Sequence, residues 1–305
     1  MQLFITGGTG LIGSSLIQEL TKKGHRITVL TRNETKARKK LGSEVQFCTS
    51  LDQLDSLDGF DAVINLAGEP IIGKRWTKKQ KQSLAQSRWS ITHQLTGLIK
   101  NSVHPPLVFL SGSAVGYYGT QGDTILNEDS TPKEDFLHRV CLQWETLALE
   151  AKQKTRVCVF RTGIVLSRKG GMLPLLLIPF QLGLGAVLGS GKQYISWIHI
   201  DDMVQGIIFL LNTKMAQGVF NFTAPYPVTH KEFSKILAQT LSRPCFFRIP
   251  SFLIRWVLGE QSTMILDGQR VIPNKLQNKQ FLFIFERAEE AFHHLTRNIN
   301  PQKRH

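Results

Sequence analysis

Long apolar runs are missing from this 305-residue sequence. The longest, such as "MLPLLLIPF" at 172–180, fall well short of the roughly 20 residues needed to cross a membrane. Cysteine is scarce: Cys48, Cys141, Cys158 and Cys245 stand apart with no C-x-x-C pair, which argues against a disulfide framework and against a zinc site. Negative charge is under-represented, 23 Asp plus Glu against 37 Lys plus Arg, for a formal net charge of +14. The basic clusters at 36–40, 73–82 and 301–305 come with no nucleic-acid motif, so they read as solvated helix faces that attract anionic substrates. No linker rich in Gly, Ser or Pro, no repeat and no low-complexity tract interrupts the chain. A strand pattern begins at Gln2, so no targeting peptide is expected, and the scattered cysteines make a reducing cytoplasmic setting the expectation.

What is present is alternation. Apolar, β-branched runs at 2–5, 26–31, 45–48, 62–67, 107–111, 156–161 and 218–223 suit strands buried on both faces of a parallel sheet. Helical patterns near 11–23, 77–101, 134–153 and 202–213 lie between them. The pattern predicts an α/β doubly wound sheet over 1–223, with 168–195 contributing to a smaller carboxy-terminal substrate lobe at 224–305. In that lobe 228–241, 250–259 and 287–295 read as helices and 245–250 as a short strand.

The strongest motif is "LFITGGTGLIG" at 3–13. Gly7, Gly10 and Gly13 follow a strand and open a helix, the context in which such glycines cradle a dinucleotide. Gly7 allows the tight turn, Gly10 the approach of a pyrophosphate, and Gly13 close packing of helix on strand. With Thr9 in the turn, the N–H groups of Leu11 and Ile12 would face the phosphates. The second strand ends "VLTRN", Thr31 and Arg32, where an NAD site places a carboxylate ~20 residues after the glycines. Arg32, with Lys36 beyond it, favours the 2′-phosphate of NADP(H). After the fourth strand, the small-residue backbone Leu66–Ala67–Gly68 would pass the adenine-side ribose and pyrophosphate.

"TGGTGLIG", "NLAGEPIIGKRWT", "SRWSITHQL", "SGSAVGYYG", "FRTGIVLSRKGGML", "GSGKQYISWIHIDDM" and "GEQSTMILDGQRVIP" follow one another along the chain. Together they resemble the atypical extended short-chain dehydrogenase/reductases of the YfcH-like epimerase family, over essentially the whole length. The resemblance implies a Rossmann-type domain with a small substrate lobe, NADP(H) as cofactor, and cofactor contacts at Thr31, Arg32, Leu66, Ala67, Arg88 and Ile164. It implies an oxidoreductase or epimerase working by hydride transfer on a polar small molecule, a sugar nucleotide among the candidates. The helix after the fourth strand forms dimers in this superfamily, which keeps a homodimer open; no nucleic-acid or membrane partner is expected.

One element of the superfamily is absent. Its enzymes carry Tyr-x-x-x-Lys on the helix after the serine strand, but here, counting back from Glu145, those positions fall on Leu137 and Cys141. Ser113 (or Ser111) and Tyr117 or Tyr118 remain as catalytic candidates, Ser113 and Tyr117 foremost, with Lys74, Arg75 or Arg88 as the cation beside the phenol and Glu69 as a further acid–base group. His138 reads as a surface residue. His199, Asp201 and Asp202 in "SWIHIDDM" read as structural, a strand entering a helix capped by Asp201, and no third metal ligand is evident. The loss of the Tyr/Lys pair raises an alternative: an NADPH-binding sensor without turnover.

Overall fold

The computed structural model describes residues 1–297; the basic segment 301–305 and the end of the 224–305 lobe lie outside them. Strands β1 (Gln2–Thr6), β2 (Arg26–Leu30), β3 (Gln46–Cys48), β4 (Ala62–Asn65) and β5 (Val108–Ala114) alternate with helices α1 (Leu11–Lys22), α2 (Glu34–Leu41) and α3 (Lys78–Asn101). There follow β6 (Ile125–Leu126), α4 (Phe136–Leu149), β7 (Arg156–Thr162), β8 (Ile164–Leu166), α5 (Leu173–Gln181) and β9 (Ala186–Leu188). Next come β10 (Tyr194–Ile195), β11 (Trp197–His199), α6 (Ile200–Asn212) and β12 (Gly218–Phe222). The remainder comprises β13 (Val228–Thr229), α7 (His230–Thr240), β14 (Phe247–Ile249), α8 (Ser251–Leu258), α9 (Thr263–Leu266), β15 (Arg270–Val271), α10 (Asn274–Asn278) and α11 (Ala288–Thr296).

Seven strands form one parallel sheet in the order β3-β2-β1-β4-β5-β7-β12. This is the doubly wound arrangement, and its strand order reverses between β1 and β4, where ligands bind in such sheets. Leu3, Phe4 and Ile5, like Val63, Ile64, Phe109 and Leu110, are almost wholly buried, because helices cover both faces. Register then sets the site. Ser113 of β5 is level with Arg161 of β7, and Arg161 is level with Asn221 of β12, so the three form one polar row across the sheet.

Helix α2 has no counterpart among the periodic segments of the sequence. Its residues, "ETKARKKL", bury only Ala37, so no apolar stripe announces it. It is held instead by the Asn33 cap, which accepts the Lys36 N–H, and by the Glu34–Arg38 pair. Helix α6 also begins differently from expectation. Its cap is His199, whose Nδ1 accepts the N–H of Asp201 at 3.0 Å, so Asp201 is not the cap.

A second core, with Phe180, Trp197, Phe233, Leu237 and Phe292 among its members, joins α5, α7 and α11. Asp202 is fully buried and accepts the N–H groups of Ile284 and Phe285 at 2.7 and 3.0 Å, tying this lobe to α6. His230, at the start of α7, is buried beside Ser234, and burial pulls its pKa down to about 4. A histidine depressed in the folded state contributes stability that is complete above its unfolded value near 6.5 and is lost as pH falls towards 4. His230→Gln should therefore remove on the order of 2 kcal/mol of the acid-induced loss of stability, read as urea midpoints at pH 7.5 and 4.5. An unchanged pH dependence in the variant would refute this.

Candidate functional site

The turn between β1 and α1 is built around glycine. Gly7 sits at φ +67, and a Cβ there would strike the Leu66 carbonyl; a Cβ on Gly13 would strike the Gly7 carbonyl. Gly10 caps α1 without any side-chain hydrogen bond, and the first turn holds no acidic residue. The leading N–H groups of α1 thus point outward with nothing to neutralise them, a cradle for an anion. Below it, Thr6 Oγ1 donates to Asn65 Oδ1 (2.7 Å) and Asn65 Nδ2 to Thr92 Oγ1 (2.8 Å). These buried bonds fix the ends of β1 and β4 to α3, and so hold Leu66 against Gly7. The residues fit a dinucleotide pyrophosphate.

Thr31 and Arg32 lie at the tip of β2, where Arg32 is exposed and makes no hydrogen bond or ion pair with any described residue. Leu66, Ala67 and Gly68 leave β4 next to the glycine turn, with the Ala67 N–H donating to Asn65 Oδ1 at 3.3 Å. Arg88 is nearly buried: it donates to the carbonyls of Leu84 (2.8 Å) and Glu69 (3.0 Å) and lies over the Trp144 ring. It braces the Gly68–Glu69 loop from below. Ile164 opens β8, and its N–H is taken by the Ser196 carbonyl at 2.8 Å, which leaves that group no free donor.

Ser113 is buried, and its hydroxyl donates to Glu145 Oε1 at 2.6 Å. Glu145 projects from α4 and is clasped by Arg161 through two bonds, Nε to Oε1 (2.9 Å) and Nη2 to Oε2 (2.8 Å). Arg161 Nη1 donates to the Tyr118 hydroxyl (3.0 Å), which in turn donates to Asn221 Oδ1 (2.7 Å). The network continues into the carboxy-terminal segment. Asn221 Nδ2 donates to the Ile272 carbonyl, Thr223 Oγ1 to the Val271 carbonyl, and the buried Glu128 accepts the N–H groups of Asn221 and Lys275.

This geometry separates the two tyrosines. Tyr118 is wholly buried with its hydroxyl doubly bonded, and burial pushes its pKa up to about 12. Tyr117 is half-buried; the Arg161 guanidinium stacks 3.3 Å from its ring centre, and its hydroxyl bonds to no described side chain. The cation beside the phenols is therefore Arg161, not the Lys74, Arg75 or Arg88 expected from the motifs. Lys74 pairs with Glu69, and Arg75 donates to the Trp256 carbonyl. Glu69 is bound by Lys74, Ser83 and Gln80, which hold its pKa at about 2, so it has no proton to give near neutrality.

Leu137 packs against Gly116, and Cys141 lies beside Ser113 with its thiol pushed up to about 12 by burial. His138 is buried rather than at the surface, its Nδ1 2.6 Å from the Tyr117 carbonyl, which ties α4 to the tyrosine turn. Sequence reasoning missed Glu145 as a partner and Arg161 altogether. The signal was Arg161 inside the apolar strand "RVCVFRT", a charge that burial obliges to find a counter-ion.

The sequence offered no third group beside His199 and Asp201, but the fold brings His294 to them, its Nδ1 3.1 Å from His199 Nε2. Hydrogen bonding accounts for the arrangement. Because His199 Nδ1 accepts the Asp201 N–H, the ring proton sits on Nε2 and faces the lone pair of His294 Nδ1.

No helix among the described residues is long and apolar enough to cross a membrane. Residues 3–222 match the model of the NAD dependent epimerase/dehydratase family, and residues 249–295 match a domain of unknown function, DUF1731. An epimerase family protein of Staphylococcus saprophyticus is 43% identical over 92% of this chain and 94% of its own length. A chloroplastic epimerase family protein of Arabidopsis thaliana is 38% identical over 95% of this chain and 85% of its own. The crystal structure of the human epimerase family protein SDR39U1 (isoform 2) with NADPH superposes with a TM-score of 0.90 at 32% identity, covering 98% of this chain and all of that one. A nucleoside-diphosphate sugar epimerase from Corynebacterium glutamicum gives 0.77 at 31%, covering 97% of this chain and 58% of its own. On this match, spanning most of its length, the chain belongs to the NAD dependent epimerase/dehydratase family.

Proposed function

We propose that this protein binds NADP(H) and catalyses hydride transfer to or from a polar small molecule, with a sugar nucleotide as the first class to test. The observation that carries the reading is the uncapped start of α1 behind the Gly7–Gly10–Gly13 turn, at the same edge of the sheet as Ser113. Arg32, without a partner among the described residues and with no carboxylate at the tip of β2, supports the phosphorylated dinucleotide. NADPH in the human relative and the nucleotide-sugar name of the Corynebacterium one agree with this choice. Bound there, the cofactor would supply or take the hydride at its nicotinamide ring.

The protein's own part follows from hydrogen-bond polarity. A carboxylate clasped by arginine only accepts, so Ser113 donates to Glu145 and keeps its lone pairs for a donor. Ser113 thus receives a substrate hydroxyl, and Glu145 and Arg161 hold it in that role. Tyr117, whose hydroxyl bonds to no described side chain, would hand over or take up the proton.

Titration calorimetry should give tighter binding of NADPH than of NADH, with Arg32→Ala weakening NADPH about tenfold and leaving NADH nearly unchanged. Turnover on a panel of nucleotide sugars should fall about a hundredfold in Ser113→Ala with NADPH affinity retained. Failure of the wild type to bind either nucleotide would sink the proposal. A second reading, an NADPH-binding sensor without catalysis, draws on Leu137 and the high-pKa Cys141 standing where proton-transfer groups would be. It predicts tight NADPH binding, no turnover on the panel, and no effect of Ser113→Ala.

A further inference from the structure

Four cations of the segment that follows β2, Arg32, Lys36 and, in the last turn of α2, Lys39 and Lys40, form no ion pair with any described residue. The one carboxylate of α2, Glu34, is already taken by Arg38 at 2.6 Å. Lys36 and Lys40, one helical turn apart, share a face of α2. Lys40 reaches from that face back across the sheet edge. Its Nζ donates to the carbonyl of Thr9 at 2.8 Å, in the glycine turn 31 residues away in sequence. The ammonium therefore stands at the turn that would hold a pyrophosphate, bonded to a neutral acceptor. A phosphate dianion is the stronger acceptor for an ammonium, since it adds charge–charge attraction where the carbonyl offers only a dipole.

We propose that Lys40 is a specificity-determining residue of the cofactor site: it engages the 2′-phosphate of NADP(H) together with Arg32, exchanging its bond to Thr9 for one to the phosphate. This rests on the reading of the site as an NADP(H) pocket. The exchange has a second effect. With its carbonyl released, Thr9 is no longer tethered to α2, so recognition of the 2′-phosphate and the freedom of the glycine turn are linked through one side chain. NADH, which lacks the phosphate, leaves that tether in place.

The test is calorimetric titration of NADPH and NADH into the full-length wild type, Lys40→Ala and Lys40→Arg, with thermal midpoints as a check on folding. Lys40 is exposed, so the midpoints should not move. In Lys40→Ala, NADPH should bind about tenfold more weakly and NADH within twofold of wild type, with Lys40→Arg recovering most of the NADPH affinity. Equal losses for both nucleotides would mean that Lys40 only clamps the turn, and would overturn the assignment. So would unchanged NADPH affinity. A wild type that binds neither nucleotide would overturn the pocket itself, and a wild type that binds NADPH with Lys40→Ala unaffected would overturn only the role of Lys40.

Discussion

Arg161→Met will cost about 3–5 kcal/mol of folding stability, the largest loss expected from any single substitution at the site. Arg161 and Glu145 have side chains only 4% and 5% exposed, so removing the cation strands a carboxylate, and with it the Ser113 bond, in a medium that solvates neither. The energy of the intact pair is a separate matter. Two buried ions that satisfy each other add little net stability over well-packed apolar residues. The double variant Arg161→Met/Glu145→Leu should therefore recover most of the loss, giving a large coupling in a double-mutant cycle by urea unfolding. A single-variant loss below ~1 kcal/mol would show that water or a shifted neighbour relieves the stranded charge, against the geometry described.

Gly13→Ala will reduce NADPH affinity about a hundredfold while leaving the sheet folded. The added methyl group meets the Gly7 carbonyl and Gly8 Cα, both backbone, so α1 must retreat from the turn and carry its N–H groups away from the phosphates. Displacement of ligating groups by ~1 Å suffices for losses of that order. Gly10→Ala acts differently: its Cβ would meet only the Gly7 carbonyl, at 3.1 Å, so α1 would give way by a few tenths of an ångström at most, and its loss reports how closely the pyrophosphate approaches the backbone. Calorimetry should place both variants below wild type, with only Gly13→Ala losing affinity through displacement of α1. Gly13→Ala binding NADPH within threefold of wild type would refute the role given to the close packing of α1 on the turn.

The sheet was legible because its strands are apolar on both faces, a pattern that needs no tertiary knowledge to read. Helix α2 was not, because a helix that buries one alanine carries no periodicity; its cap and its Glu34–Arg38 pair are the only local marks. Within the site, the glycine turn and Arg32 could be read from spacing alone. Glu145 and Arg161 could not be paired from sequence, since their meeting depends on α4 lying over β7 and on the register that sets Ser113 level with Arg161. The same holds for His199 and His294, 95 residues apart. Which of two adjacent tyrosines keeps a free hydroxyl was decided by the turn after β5, a matter of ring direction that composition does not encode.

The bonds from Asn221 and Thr223 to residues 271–272, and from Glu128 to Lys275, bear on how this architecture can be altered. Arg161 leans on Tyr118, Tyr118 on Asn221, and Asn221 on the backbone of the appended segment. The boundary near residue 223 is thus a seam in the topology and not in the hydrogen bonding. Exchanging the carboxy-terminal segment for that of a relative would bring a new backbone acceptor for Asn221. A chimera joined there would carry the alignment of Ser113 with it, because the appended segment anchors the row to which Ser113 belongs.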